Sequence, residues 1–338
     1  MKRSPLGGRN FEYFSEDPIL AGTIAIGYIN GVQSQGVGTS IKHFAANSQE
    51  TERMSNSSNV DERTLNEIYF PAFEMAVKNA QPWTVMCSYN KLNGVYASEN
   101  GYLLTQTLKD KWGLKGFVVS DWGAVNERAA GVDAGLNLEM PASGGFNDKK
   151  IVEAVKKGTL SEVRLDQIVT ELLAVTLKAK DSHKKGIVVD KVKHNELARQ
   201  VSSECIVLLK NDNAILPLKS SLKKIAIVGD FAKNPRYQGA GSSQVRPTQI
   251  LNALTELQKL AKGTEFSFSS GYNTAGETDE AKIAEAVQNA KNAELVILFA
   301  GLPDSYESEG YDRANLDMPA GHNKLIAEVA KVNKNVVV

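Results

Sequence analysis

The chain has 338 residues, 42% of them hydrophobic and 23% charged, with Lys+Arg and Asp+Glu equal at 39 each. That length exceeds what one ordinary core serves and predicts two domains, or one large barrel with a partner. A formal net charge of zero gives no electrostatic draw towards nucleic acid or an anionic bilayer, and no apolar run reaches the roughly 18 residues of a membrane-spanning helix.

From residue 1 to about 180, short apolar runs alternate with helical periodicity, the pattern of parallel βα units. The start, Met1-Lys2-Arg3-Ser4-Pro5, lacks the basic, apolar and small-residue succession of a signal peptide and does not open like a domain. A polar, aromatic loop over 10–18 feeds a helix over 19–34, and 36–44 is a strand ending near Lys42 and His43. Asp61 is placed to cap a helix with Leu65, Ile68, Ala72 and Ala76 on one face, which Pro71 kinks. A strand over 84–90, a turn at Asn93-Gly94 and a helix over 103–112 closed by Gly113 follow. Gly116-Phe117-Val118-Val119-Ser120-Asp121-Trp122-Gly123 then runs from apolar residues straight into an acid, an indole and a glycine. It reads as a buried strand that releases a carboxylate at its C-terminal end. Residues 134–141 suggest one more short strand, and helices over 149–156 and 161–178 close the region.

Residues 181–193, rich in Lys and Asp, read as a linker. Beyond it come a helix over 195–210, with Leu197, Val201, Cys205 and Leu208 on one face, a strand over 224–230 and a helix over 248–260. Strands over 266–268, 295–300 and 335–338 complete a doubly wound pattern. Cys87 and Cys205 both sit in apolar segments and are expected to be buried thiols rather than a disulfide or metal pair. Four or five barrel strands are visible rather than eight, so the barrel is open or further units precede residue 1. The chain also ends inside a strand pattern. It therefore reads as part of something longer, and its compartment stays open.

Three strand ends carry chemistry: Lys42-His43, Ser88-Tyr89-Asn90 and Asp121-Trp122. In a (β/α) barrel, groups at the C-terminal ends of strands face the site. A carboxylate with cationic donors, a phenol and an indole suits a polyhydroxylated ring, since donors grip vicinal hydroxyls and aromatic faces stack on C–H groups. Arg9 and Arg53 are further candidates from adjacent loops. Each has a plainer reading: Lys42 and Arg53 as solvated charges, His43 as a satisfied core histidine, Asp121 as a helix cap. Their shared place at strand ends is what favours a site. A second acidic centre is Tyr306-Glu307-Ser308-Glu309-Gly310-Tyr311-Asp312-Arg313, either a solvated loop or the source of a titrating carboxylate. Gly310 lets the backbone beside Glu309 approach a neighbour closely, and Arg313 can pair with Asp312. Two carboxylates from different domains can divide the roles of nucleophile and acid in glycoside chemistry. Metal-ligand spacings are missing, and Gly239-Ala240-Gly241-Ser242-Ser243 lacks the Gly-Lys-Ser/Thr ending of a phosphate loop, so no metal or nucleotide is expected.

In their order and spacing these motifs resemble glycoside hydrolase family 3, nearest its β-glucosidases, over essentially the whole chain. The resemblance rests on residues 2–18, Lys42-His43-Phe44, Met86-Cys87-Ser88-Tyr89-Asn90, 116–122, 239–243 and 307–313. It implies an α/β fold: a partial TIM-like (β/α)8 barrel over 1–180, a linker over 181–193 and a truncated α/β sandwich domain over 194–338. It implies a retaining β-glucosidase that releases terminal non-reducing β-D-glucosyl residues by double displacement, with Asp121 as nucleophile and Glu309 as acid/base. Arg9, Lys42, His43, Arg53, Tyr89 and Trp122 would surround the sugar, with Ser242 reaching in from the second domain and Glu307 the rival to Glu309. The implied partner is a β-glucoside or oligosaccharide, with no cofactor, nucleic acid or membrane, and the oligomeric state stays open. A β-xylosidase or α-arabinofuranosidase is the alternative within the family, and a non-catalytic sugar-binding fragment the alternative outside it. Two departures stand out. The family usually has Asp where Asn137 stands, which is expected to alter local hydrogen bonds without touching Asp121. Its first barrel strands, with an aspartate that binds sugar hydroxyls, the end of its sandwich sheet and the fibronectin-like domain that often follows have no counterpart here.

Overall fold

Three apolar runs, Ser40–Phe44 (β1), Thr84–Cys87 (β2) and Phe117–Val119 (β3), pair in parallel in the order β1-β2-β3. The structure, a computed structural model, describes residues 2–212 and 214–338 and divides into two units, Met1–Ile187 and Val188–Val338. In the first unit the register sets Ile41 against Val85 and Val85 against Val118, a line of apolar side chains across the sheet. Phe44, Phe70 and Trp112 pack ring to ring at centroid distances of 5.4–5.8 Å and fix the end of β1 against its helices. Gly116 is required by space: a Cβ there would lie 2.2 Å from the Trp83 carbonyl oxygen, so a larger residue would push β3 away from β2.

Asp61 caps its helix as expected, accepting from the Thr64 N–H at 2.9 Å. The helix loosens into a π turn over Leu65–Tyr69 before Pro71–Ala80, the bend that Pro71 imposes by lacking an N–H. Residues 134–141 do not form the expected strand. Ala134 ends a helix, Arg128–Ala134, that the pattern did not signal, and only Leu138 bridges Val119. Asn137 supplies the reason, tying this segment down with its side chain. Its Oδ1 accepts from the Val118 N–H at 2.9 Å, while its amide donates to the Ile168 carbonyl at 2.9 Å and to Glu171 at 2.8 Å. A carboxylate there could make none of those donations. Asn137 thereby joins β3 to the helix Glu162–Ser182.

In the second unit Lys224–Val228 (β4), Glu265–Ser269 (β5), Leu295–Leu298 (β6) and Val336–Val337 (β7) form a parallel sheet in the order β7-β6-β4-β5. Ala226, Val228, Val296 and Leu298 face Ile283, Ala286, Leu325 and Val329 on one side, and Ile225, Ile227 and Leu295 meet Leu254 and Leu257 on the other. With both faces covered, the strands read as continuous apolar runs. The α/β class therefore holds, a partial TIM-like barrel and then an α/β sandwich domain. The helix expected over 195–210 spans Lys191–Cys205, and its apolar face lies open, with Leu197 58% and Val201 54% exposed. Cys205 is likewise exposed, against expectation, whereas Cys87 is buried and its thiol pushed up to about 12 by desolvation. An amphipathic pattern marks a face but does not say what covers it. Among the described residues no helix is long and apolar enough to cross a membrane.

Replacing Asn137 by Ala leaves the Val118 N–H without its acceptor and the Lys109–Glu171 pair without its amide neighbour. We expect a loss of about 2–3 kcal/mol in denaturant unfolding of the natural full-length protein. A change below about 0.5 kcal/mol would show that Asn137 is not the tie described.

Candidate active site

Asp121 stands two residues beyond β3 and is 6% exposed. Ser120 builds the turn that carries it. The Ser120 N–H donates to the Leu138 carbonyl at 2.9 Å, and its hydroxyl accepts from the Met140 N–H at 2.8 Å. The Gly123 N–H also donates to the Met140 carbonyl at 3.0 Å, which locks both sides of Asp121 to the neighbouring segment. Asp121 does not cap a helix. The helix that follows begins at Arg128 with Glu127 at its N-cap, and Asp121 Oδ1 accepts from the Trp122 N–H at 2.8 Å within its own turn. Its other oxygen, Oδ2, lies 3.4 Å from His43 Nε2.

His43 comes from β1, and its imidazole is buried beside the carboxylate. Desolvation holds its proton affinity well below the usual histidine range, and the positive charges of Arg9, Lys42 and Arg53 lower it further. The ring is therefore neutral at neutral pH. On its far side, Nδ1 is 2.7 Å from the Tyr13 hydroxyl. Three cations surround this core, each beside a carboxylate. Glu12 pairs with Arg9 Nε and lies 3.2 Å from Lys42 Nζ, while Glu50, 5% exposed, lies 2.7 Å from Arg53. The Arg53 guanidinium also sits 4.6 Å from the centroid of the Tyr89 ring. Tyr89 is buried, Trp122 is 61% exposed, and Ser88 hydrogen-bonds the Ala45 carbonyl at 2.9 Å to hold β2 to β1. The first unit thus brings Arg9, Lys42, His43, Arg53, Tyr89, Asp121 and Trp122 to the strand ends that the sequence indicated. Glu12, Tyr13 and Glu50 carried no role in the sequence reading. The three-residue spacings Arg9 to Glu12 and Glu50 to Arg53 were the available signal.

In the second unit the loop after β6 carries both glutamates. Arg236 ties it down with ion pairs to Asp304 and Glu307, both at 3.1 Å, and a hydrogen bond to the Leu302 carbonyl at 3.1 Å. Buried His322 accepts from the Gly301 N–H at 3.3 Å where the loop leaves the sheet. Glu309 is held differently: its Oε2 accepts from the Ser242 N–H at 3.1 Å. Gly241 makes this approach possible, because a Cβ there would fall 2.6 Å from Glu309 Cβ. Ser242 therefore meets Glu309 through its main chain. Arg313 donates to the Asp317 carbonyl at 3.4 Å. Among the described residues no cluster of three His, Cys, Asp or Glu side chains is placed to hold a metal ion.

Residues 1–175 match the glycosyl hydrolase family 3 N terminal domain, and residues 206–338 match the glycosyl hydrolase family 3 C-terminal domain. Over 341 residues the chain is 54% identical to thermostable beta-glucosidase B of Acetivibrio thermocellus, covering 100% of this chain and 45% of that protein. It is 49% identical over 352 residues to an exo-alpha-(1->6)-L-arabinopyranosidase of Bifidobacterium longum, covering 100% of this chain and 45% of the relative. The crystal structure of a Bifidobacterium adolescentis GH3 beta-glucosidase superposes with a TM-score of 0.95 at 49% identity, over 100% of this chain and 49% of that one. Beta-glucosidase 3B from Thermotoga neapolitana in complex with glucose gives a TM-score of 0.83 at 34% identity, over 98% of this chain and 50% of that one. The chain spans about half the length of the relatives it matches.

The depressed proton affinity of His43 fixes a pH dependence. The unfolded chain takes up this proton below the ordinary histidine pKa of about 6.5, where the folded state still resists it. The stability linked to this group is complete above about pH 6.5 and is lost as the pH falls below it. Unfolding free energies of the natural full-length protein at about pH 6.5 and 5.5 are expected to differ less in His43→Gln than in wild type, by up to about 1 kcal/mol. Identical pH slopes in the two proteins would contradict a neutral, buried His43.

Proposed function

As the chain belongs to glycosyl hydrolase family 3, we propose that its two acidic centres serve a retaining β-glucosidase, with Asp121 as nucleophile and Glu309 as acid/base. The observation that carries the reading is Asp121 itself: a buried carboxylate at a strand end, oriented by the Trp122 N–H and faced by a neutral imidazole. Arg9, Lys42 and Arg53 are held ready to grip sugar hydroxyls by the carboxylates of Glu12 and Glu50. Exposed Trp122 offers an indole face for the substrate.

In the first step Asp121 attacks the anomeric carbon while Glu309 protonates the departing oxygen. In the second, Glu309 takes a proton from water, which displaces Asp121 and releases the sugar. The contacts of the loop favour Glu309 over Glu307 as the proton carrier. Glu307 is tied to the Arg236 guanidinium at 3.1 Å, a contact that gives it the part of holding the loop. The 54% identity to a thermostable beta-glucosidase B supports glucose as the sugar released. A second reading has its own support in the relatives at 49% identity named as exo-alpha-(1->6)-L-arabinopyranosidases. L-Arabinopyranose has no hydroxymethyl group at C5, so the two readings differ in how the site treats that group. Xylopyranose likewise lacks that group, arabinofuranose differs in ring size, and a panel of nitrophenyl glycosides on the full-length protein ranks all four.

Trapping the full-length protein with a 2-deoxy-2-fluoroglucoside carrying a good leaving group, followed by peptide mapping, should place the label on Asp121. A label on any other residue contradicts the assignment. Glu309→Ala is expected to slow hydrolysis of substrates with poor leaving groups about 10²–10⁴-fold while leaving the first step on activated aryl glucosides nearly unchanged. An equal loss on both classes would move the role away from Glu309.

A further inference from the structure

Tyr13, His43 and Asp121 form a line. The Tyr13 hydroxyl is 2.7 Å from His43 Nδ1, the two rings meet edge to face with centroids 6.1 Å apart, and His43 Nε2 is 3.4 Å from Asp121 Oδ2. Among the described residues neither Nε2 nor Oδ2 makes a full hydrogen bond, so each has the other as its facing polar atom.

An imidazole in this position has three states. Protonated on both nitrogens, it adds a charge beside Arg9, Lys42 and Arg53 in a buried setting, and that combination opposes it. Protonated on Nδ1 alone, it turns the Nε2 lone pair towards a carboxylate oxygen, setting two buried acceptors against each other. Protonated on Nε2 alone, it accepts from the Tyr13 O–H and presents an N–H to Asp121. Of the two neutral states, only the last gives every one of these atoms a complementary neighbour. The phenol stays protonated to serve as the donor, because desolvation raises it, with Glu12, Glu50 and Asp121 adding to the effect and Arg9 opposing it.

We propose that Tyr13 is a positioning residue: its O–H fixes His43 as the Nε2–H tautomer, and that N–H orients Asp121 Oδ2 while the Trp122 N–H holds Oδ1. The carboxylate plane is then set from two sides, by a main-chain donor of its own turn and by a side chain of β1. This rests on Asp121 being the nucleophile for its catalytic meaning, but the tautomer is a separate fact about His43. It also gives a use to the residue that follows Glu12, so that two successive side chains serve the site, one orienting cations and the other an imidazole.

The experiment is done on the full-length protein in two arms. Nitrogen-15 NMR of histidine-labelled wild type, with the His43 signals identified by their loss in His43→Ala, reads the tautomer directly. The expected result is a protonated Nε2 and a bare, hydrogen-bond-accepting Nδ1. A proton on Nδ1, alone or together with Nε2, overturns the proposal. The second arm is a kinetic cycle. Tyr13→Phe should lower kcat about tenfold to a hundredfold with KM within about threefold, and should cost nothing further in the His43→Ala background. Full activity of Tyr13→Phe, or the same loss with and without His43, overturns it. If Tyr13→Phe does not fold, the wild-type tautomer decides. Fluoroglucoside labelling away from Asp121 would remove the nucleophile reading and leave the tautomer result standing, so the two failures are told apart.

Discussion

A carboxylate kept out of water must find donors or cations for its oxygens, or it takes up a proton and loses its nucleophilic form. Asp121, buried at the end of β3, sets that requirement for everything near it. The Trp122 N–H and His43 meet its oxygens, and Arg9, Lys42 and Arg53 add positive charge to the surroundings. Those cations need counterparts in turn, and Glu12 and Glu50 supply them. Arg9, Lys42 and Arg53 against Glu12, Glu50 and Asp121 leave the cluster formally balanced. A charged His43 would upset that balance, which agrees with its depressed proton affinity. Neutral imidazole is thus part of the same solution as the buried acid.

The second unit solves a different problem. Glu307 and Glu309, two positions apart, are held in different ways. Arg236 reaches Glu307, Asp304 and the Leu302 carbonyl and so fixes the loop through a charge. Glu309 is met instead by the Ser242 N–H, an approach open only because position 241 has no side chain. A main-chain donor thus fixes the direction of the Glu309 carboxyl group from the neighbouring loop. Ser242, expected as a group reaching for sugar, acts on Glu309 through its amide.

Much of this was legible in the residues, and what was not has physical reasons. Phe117–Val119 and Thr84–Cys87 announce themselves as strands because parallel strands buried on both faces read as unbroken apolar runs. The strand ends point to Lys42, His43, Tyr89 and Asp121 from the sequence alone. Glu12, Tyr13 and Glu50 were silent because they themselves lie in loops and turns, where no periodicity ties a side chain to a direction. Residues 134–141 misled because Leu136, Leu138 and Met140 alternate like a strand, whereas Asn137 anchors the segment through its side chain and Gly135, at φ +117°, ends a helix there. Cys205 misled for another reason: its helix has an apolar face that lies open.

The central claim is that Asp121 and Glu309 divide the work of a double displacement, and the stereochemistry of the product tests it most directly. Proton NMR of the natural full-length protein acting on a nitrophenyl β-glucoside follows the anomeric signals before mutarotation mixes them. The account predicts that β-glucose appears first and the α-anomer grows in only later, as retention requires. Initial release of α-glucose would mean inversion by direct attack of water, and would contradict the role given to Asp121.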